Sequence, residues 1–143
     1  MATRVNFATG LNQTTGLDAD VFTQEQWALS GALLELAADG DFALVRQIVG
    51  VFLADARAKV ESLRVAAFPA DFAGAQRIAH SLKGAARQVG TPGLADAAER
   101  LEHYVPQTDG VKFSLLVSAI VKSWNEAERA VMAGLESLPG PQA

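Results

Sequence analysis

In the stretch AHSLKGAARQVG, residues 79–90, the side chains able to do chemistry include an imidazole, an ammonium and a guanidinium. The stretch has the composition of a helix, yet Gly84 stands in its interior. A glycine there costs about 1 kcal/mol relative to alanine, in a chain that uses alanine freely. Consider a helical wheel advancing about 100° per residue, with His80 at zero. Ile78, Leu82, Ala85 and Val89 then fall within roughly 40° of the opposite side and form the expected buried stripe. Gln76, Arg77, Lys83, Gly84 and Arg87 fall within roughly 60° of His80. The imidazole therefore faces solvent among bases, where one ring nitrogen is free to act as a nucleophile. The missing side chain at Gly84 opens a flat area on which something large can approach the ring. The plainer reading is a solvated helix face, with Gly84 admitting a neighbouring helix. The distance of Gly84 from the buried stripe fits that reading poorly.

A carboxylate also enters this picture. Gly90 and Thr91 form a tight turn, so the helices on either side should be antiparallel. His80 precedes Gly90 by ten residues and Glu102 follows Thr91 by eleven. At 1.5 Å per residue both lie about 15 to 17 Å from the turn, at nearly one level. Glu102 adjoins the apolar face formed by Leu94, Ala98, Leu101 and Val105. From there it can accept a hydrogen bond from His80 Nδ1, which leaves Nε2 exposed. Glu102 reads equally well as a surface charge near a helix end.

These residues need a scaffold, and composition indicates its kind. The chain has 143 residues, enough for one domain with a real core. Half of them are hydrophobic, aromatics are sparse, and alanine and leucine are abundant, which favours packed helices. There is no cysteine, hence no disulfide framework and no thiolate metal site. The N-terminal residues MATRVNFATGLNQTTG lack the apolar core of a signal peptide. No segment is long and apolar enough to span a membrane. A cytoplasmic protein is the expectation, and the initial Met favours a complete chain. The formal net charge of −4 argues against a nucleic-acid binder, which needs a basic face. From Gln76 to Gln88, however, there are three bases and no acid.

Residues 1–18 are polar and without apolar periodicity, and are expected to form a flexible arm. Thr23-Gln24-Glu25-Gln26 has capping-box form and opens a helix to about Ala38, with Leu29, Leu33 and Leu36 on one face. A long helix should run from about Asp41 to Ala67, with Phe42, Val45, Ile48, Val49, Phe52, Ala56, Val60 and Leu63 at helical spacing. Pro69 interrupts it. A third helix covers Asp71 to Val89 with Gly90 as its C-terminal cap. Thr91 and Pro92 open a fourth, to about Tyr104. Pro106 and Gly110 mark a loop, and a last helix covers about Val111 to Leu138. Short connections between helices predict an all-α fold: an antiparallel up-and-down four-helix bundle over residues 19–138, with a short accessory N-terminal helix. Residues 139–143 should form a frayed tail.

The run AHSLKGAARQVGTPGLADAAERLE resembles the signature of histidine-containing phosphotransfer (HPt) domains. His80, Lys83, Gly84, Gly90, Leu94, Leu101 and Glu102 match its pattern. The preceding LVRQIVGVFLADARAKVESLRVA resembles the helix that commonly comes before it. The resemblance extends over roughly residues 20 to 138. It implies a four-helix bundle with an accessory helix and a phosphorelay function. With no GxxxxGKS or GxxxxGKT loop and too few residues for a kinase domain beside the bundle, the chain reads as a phosphoryl carrier, not an enzyme. His80 would be the phosphoacceptor, with Lys83 steadying the phosphoryl oxygens and Gly84 giving a receiver domain access. Glu102 would stand where some members orient the histidine. Arg77, Ser81, Arg87 and Gln88 are assigned to receiver docking by position alone. Partners would be receiver domains of response regulators and hybrid sensor histidine kinases. The chain would hold no cofactor or metal of its own, Mg²⁺ arriving with the receiver, and would act as a monomer, without nucleic acid or membrane.

Two other readings compete. One is an interaction module that uses the same surface without phosphorylation. The other is a metal-binding bundle using His80, His103, Glu99 and Glu102. Paired-metal bundles use two Glu-x-x-His motifs, and neither histidine here has a Glu three residues before it.

Overall fold

The structure, a computed structural model, describes residues 27–29, 31–66, 71–105 and 110–140. The expected arm over 1–18 and the Thr23 cap lie outside these residues, as do Pro69, Pro106 and positions 141–143 of the tail. Every regular element among the described residues is a helix. These are α1 (Gly31–Ala38), α2 (Phe42–Ala66), α3 (Phe72–Val89), α4 (Pro92–Glu102) and α5 (Gly110–Ser137). Helix α2 packs on α3, α3 on α4, α4 on α5, and α5 back on α2, so the four longer helices close a ring. The short α1 rests on α2 and α3.

Local chemistry sets the helix ends. The Asp71 side chain accepts a hydrogen bond from Gly74 N at 3.0 Å and caps α3. Gly90 ends α3 in the left-handed region, at φ 100°. Thr91 precedes Pro92 as expected but makes no side-chain cap for α4. Its hydroxyl turns back to the Ala86 carbonyl at 3.3 Å, and the backbone N–H groups of Gly90 and Thr91 meet the same carbonyl at 2.9 Å. The α3–α4 turn is thus tied to the last turn of α3.

The stretch before α1 departs from expectation. Trp27, Ala28 and Leu29 are not helical. Trp27 is fully buried and its indole N–H donates to the Val89 carbonyl at 2.9 Å. This satisfies a carbonyl that the end of a helix leaves without an internal partner. Ala28 N also donates to Gly90 O, at 3.4 Å. The segment lies across the α3–α4 turn, and a side chain at Gly90 would meet Ala28 O at 2.0 Å. Gly90→Ala is therefore expected to cost at least the 1–2 kcal/mol, roughly, of an L-residue in this conformation. Denaturant unfolding should show that loss, with red-shifted tryptophan emission as Trp27 leaves its site. Unchanged stability would mean that the turn and the segment are not coupled.

The core is continuous through the ring. Val45, Val49 and Leu63 of α2 join Leu82 and Ala86 of α3, Leu94 and Leu101 of α4, and Ile120 and Val131 of α5. Phe72, Tyr104 and Phe113 stack at one end, with the Phe72 and Phe113 rings 4.8 Å apart and edge-on. Several apolar positions differ from the expected pattern, Leu36 among them, which is only half-buried. Ile48 is 38% exposed and Val105 is 69% exposed, the latter because α4 stops at Glu102 and buries Tyr104 instead. On α3 the buried residues include Ala75, Ala79 and Ala86, whereas Ile78 and Ala85 are half-buried. The buried arc is thus turned about 40° from the expected stripe. Among the described helices, α3 and α4 make the most extensive contact, and both bury alanines. Small side chains let two backbones approach, so alanines outrank the larger Ile78.

Candidate functional site

The turn of α3 changes which of its polar residues face α4. Two adjacent rows emerge, each spaced four, three and four residues. Gln76, His80, Lys83 and Arg87 form the row on the α4 side. Arg77, Ser81, Gly84 and Gln88 form the row beside it.

Every member of the first row is engaged. Gln76 Nε2 donates to the Tyr104 carbonyl at 2.5 Å, just past the end of α4. His80 Nδ1 lies 2.5 Å from Glu102 Oε2. Lys83 Nζ lies 2.5 Å from the other carboxylate oxygen, Glu102 Oε1. Arg87 pairs with Glu99. Glu99 also lies 3.9 Å from His103 Nδ1, beyond hydrogen-bond range. The second row is different: Arg77, Ser81, Gly84 and Gln88 are all exposed. A Cβ added at Gly84 would have nothing within 4 Å. Glycine there serves no internal packing.

Exposure divides the His80 cluster by role. The His80 side chain is 69% exposed, whereas Lys83 and Glu102 are 15% and 18% exposed. The ring stands out on a sheltered ion pair. Oε1 of Glu102 is shut off from water and accepts no hydrogen bond of regular geometry, so Lys83 meets it chiefly as a charge. The contact with Lys83, and next the hydrogen bond with His80, hold the Glu102 carboxyl below its ordinary value of 4.5, against the opposing effect of desolvation. A lowered value means that the contribution of Glu102 to stability is present above that ordinary value. It is lost as pH falls through the lower folded value. At neutral pH the carboxylate is ionised and can only accept hydrogen bonds. The proton of the 2.5 Å contact therefore sits on His80 Nδ1, and in the neutral ring Nε2 bears the lone pair.

The Hpt domain model matches residues 47–122, from the first turns of α2 through α3 and α4 into α5. The chain belongs to the Hpt domain family. No curated protein and no solved structure matches the chain. Hpt domains are helical bundles that carry phosphoryl groups on histidine in phosphorelays and interact with receiver domains of two-component systems. The described part of this Hpt domain has no helix long and apolar enough to cross a membrane.

Of the residues singled out in the sequence, the structure joins His80, Lys83 and Glu102 in one cluster. It sets Arg77, Ser81, Gly84 and Gln88 in one open row and takes Arg87 into an ion pair. The four groups weighed as a metal set fall into two pairs, His80 with Glu102 and His103 near Glu99. Among the described residues no three His, Asp or Glu side chains are placed to hold a metal ion. Sequence reasoning left Gln76 without a role and passed over Glu99 as a partner for Arg87. Both had a signal. Gln76 lies one turn before His80 on the same row, and Asp96, Glu99 and Glu102 recur every third residue along α4.

Proposed function

We propose that this Hpt domain is a phosphorelay carrier that accepts a phosphoryl group on His80 from a receiver aspartyl phosphate and passes it to the aspartate of another receiver. The observation that carries this reading is the 2.5 Å contact between His80 Nδ1 and the ionised Glu102, beneath a ring that is otherwise exposed. The Nε2 lone pair attacks phosphorus in line. The bond from phosphorus to the aspartyl oxygen breaks, and the aspartate leaves as a carboxylate. The Nδ1–H keeps donating its hydrogen bond to the Glu102 carboxylate, which offsets the positive charge that develops on the ring. Onward transfer reverses these steps on a second receiver. Lys83 is the ammonium nearest the ring cluster and moves from Glu102 toward the phosphoryl oxygens. Mg²⁺ comes with the receiver, and the carrier supplies no cofactor. The row Arg77, Ser81, Gly84, Gln88 is the docking face, with Gly84 as the point of closest approach. The scaffold in this reading is an antiparallel up-and-down bundle of α2 to α5 with α1 accessory, acting as a cytoplasmic monomer.

Transfer from phosphorylated receiver domains of the source organism tests the proposal. The carrier should gain acid-labile phosphate within the time the receiver loses it. An interaction module that works without phosphorylation would bind receivers and gain none. Lys83→Ala is expected to slow transfer about tenfold, equivalent to roughly 1.4 kcal/mol in the barrier, with receiver affinity kept. If affinity falls as far as rate, Lys83 serves docking and not the phosphoryl group.

A further inference from the structure

The three bases on the His80 side do not present three charges to a partner. Lys83 is sheltered and paired with Glu102, and Arg87 is paired with Glu99. Arg77 is exposed and has no acidic partner among the described residues. Two carboxylates of α4 thus offset two of the three cations on α3. The uncancelled positive charge lies at the Arg77 end, one turn before His80, and not at the Arg87 end, two turns after it.

The two ion pairs differ in how they bear on docking. Glu102 is part of the His80 cluster and cannot be altered without touching the ring. Glu99 makes no hydrogen bond or ion pair with His80 or Lys83; it pairs with Arg87 and lies 3.9 Å from His103. Its side chain is 38% exposed and that of Arg87 is 53% exposed, so the pair lies at the surface. An exposed pair contributes little to fold stability. It still changes the field a partner meets, because a cation beside an anion is a dipole whose attraction falls off faster than that of a lone charge.

We propose that Glu99 is a specificity-determining residue for receiver docking: by holding Arg87 it silences one end of the His80 face and leaves Arg77 to steer the partner's acidic pocket. This rests on the carrier reading given above. Receiver sites collect carboxylates around the acceptor aspartate, so an approaching receiver is turned with that pocket toward Arg77. The neutral row of Ser81, Gly84 and Gln88 then lies under the rest of its surface. Freeing Arg87 adds a second attractive point on the far side of His80. It speeds encounter and blunts the preference for one orientation.

The test is stopped-flow association with the receiver domain that binds the wild-type chain most tightly, at about 20 mM and about 150 mM salt. Glu99→Gln should raise the association rate about two- to fivefold at low salt and less at high salt. The gain should vanish in the Glu99→Gln/Arg87→Gln double variant. Arg77→Gln should lower the rate more than Arg87→Gln does. If Glu99→Gln leaves the rate unchanged or lowers it, or lowers the melting temperature without speeding association, the pair is a structural staple and the proposal is overturned. A gain that persists without Arg87 overturns it as well. Labelling of His80 by phosphoramidate, a small donor that needs no docking, separates the two readings. Loss of that labelling in the wild-type chain speaks against the carrier function, while the association rates alone decide the role of Glu99.

Discussion

His80→Gln is expected to take up no acid-labile phosphate from any phosphorylated receiver that labels the wild-type chain. The expected change is from full labelling to background. The amide nitrogen of glutamine has its lone pair delocalised into the carbonyl and does not attack phosphorus. The change is otherwise mild. The His80 side chain is 69% exposed, and an amide N–H is still able to donate to Glu102. Substitution at an exposed site away from packing typically moves stability by less than about 0.5 kcal/mol. Circular dichroism and the unfolding midpoint should thus match wild type, which separates lost chemistry from lost fold. The only other histidine is His103, 65% exposed and 3.9 Å from Glu99. That distance is too long to fix the ring, so His103 lacks the oriented nitrogen that His80 has. Acid-labile phosphate on the variant, mapped to His103, would falsify the assignment of His80 as sole acceptor.

Gly84→Gln should separate stability from function in the opposite direction. Helix α3 gains from the change, because glycine is worse than ordinary residues in a helix interior by about 0.5–1 kcal/mol. No neighbour opposes it, since an added Cβ meets nothing within 4 Å. The melting temperature should rise by about 2–4 °C. Receiver affinity should nevertheless fall at least tenfold, or about 1.4 kcal/mol, because a long side chain one turn from His80 occupies the space through which a receiver reaches the ring. Phosphoramidate should still label the variant at close to the wild-type rate, as a small donor does not need that space. Calorimetric titration with a receiver and a thermal melt decide the matter together. Normal affinity in a stabilised variant would mean that the partner approaches from another side.

The candidate site was legible to different depths. That His80 and Glu102 share a level follows from counting residues to the Gly90 turn, because antiparallel helices of fixed rise bring equidistant residues to one level. That they pair, and that Glu102 is not a free surface charge, is decided by the packed helices. That Lys83 shares the same carboxylate is not visible in that count. It depends on the rotation of α3 about its own axis, which the apolar pattern places about 40° from where it lies. The pattern weights Ile78 and Ala85 as core. The molecule buries Ala75, Ala79 and Ala86, because small side chains at the α3–α4 contact allow close approach. The same rotation moves Lys83 and Arg87 from an open basic patch into ion pairs, and leaves Arg77 in the open row.

The sequence by itself determined the elements: helices bounded by Asp71, Gly90 and Pro92, an apolar repeat along α2, and a histidine with Lys-Gly one turn after it. These are set by local hydrogen bonding, backbone freedom and periodicity, which operate within a few residues. Only the tertiary structure decided the segment from Trp27 to Leu29. The capping-box pattern upstream favours helix, but the buried indole bonds to Val89 O and Ala28 closes on Gly90, contacts made across 62 residues of chain. It likewise decided which bases keep their charge for a partner. A charge is cancelled by whatever packs within a few ångströms, and for Lys83 and Arg87 that is a neighbouring helix whose rotation no local pattern records.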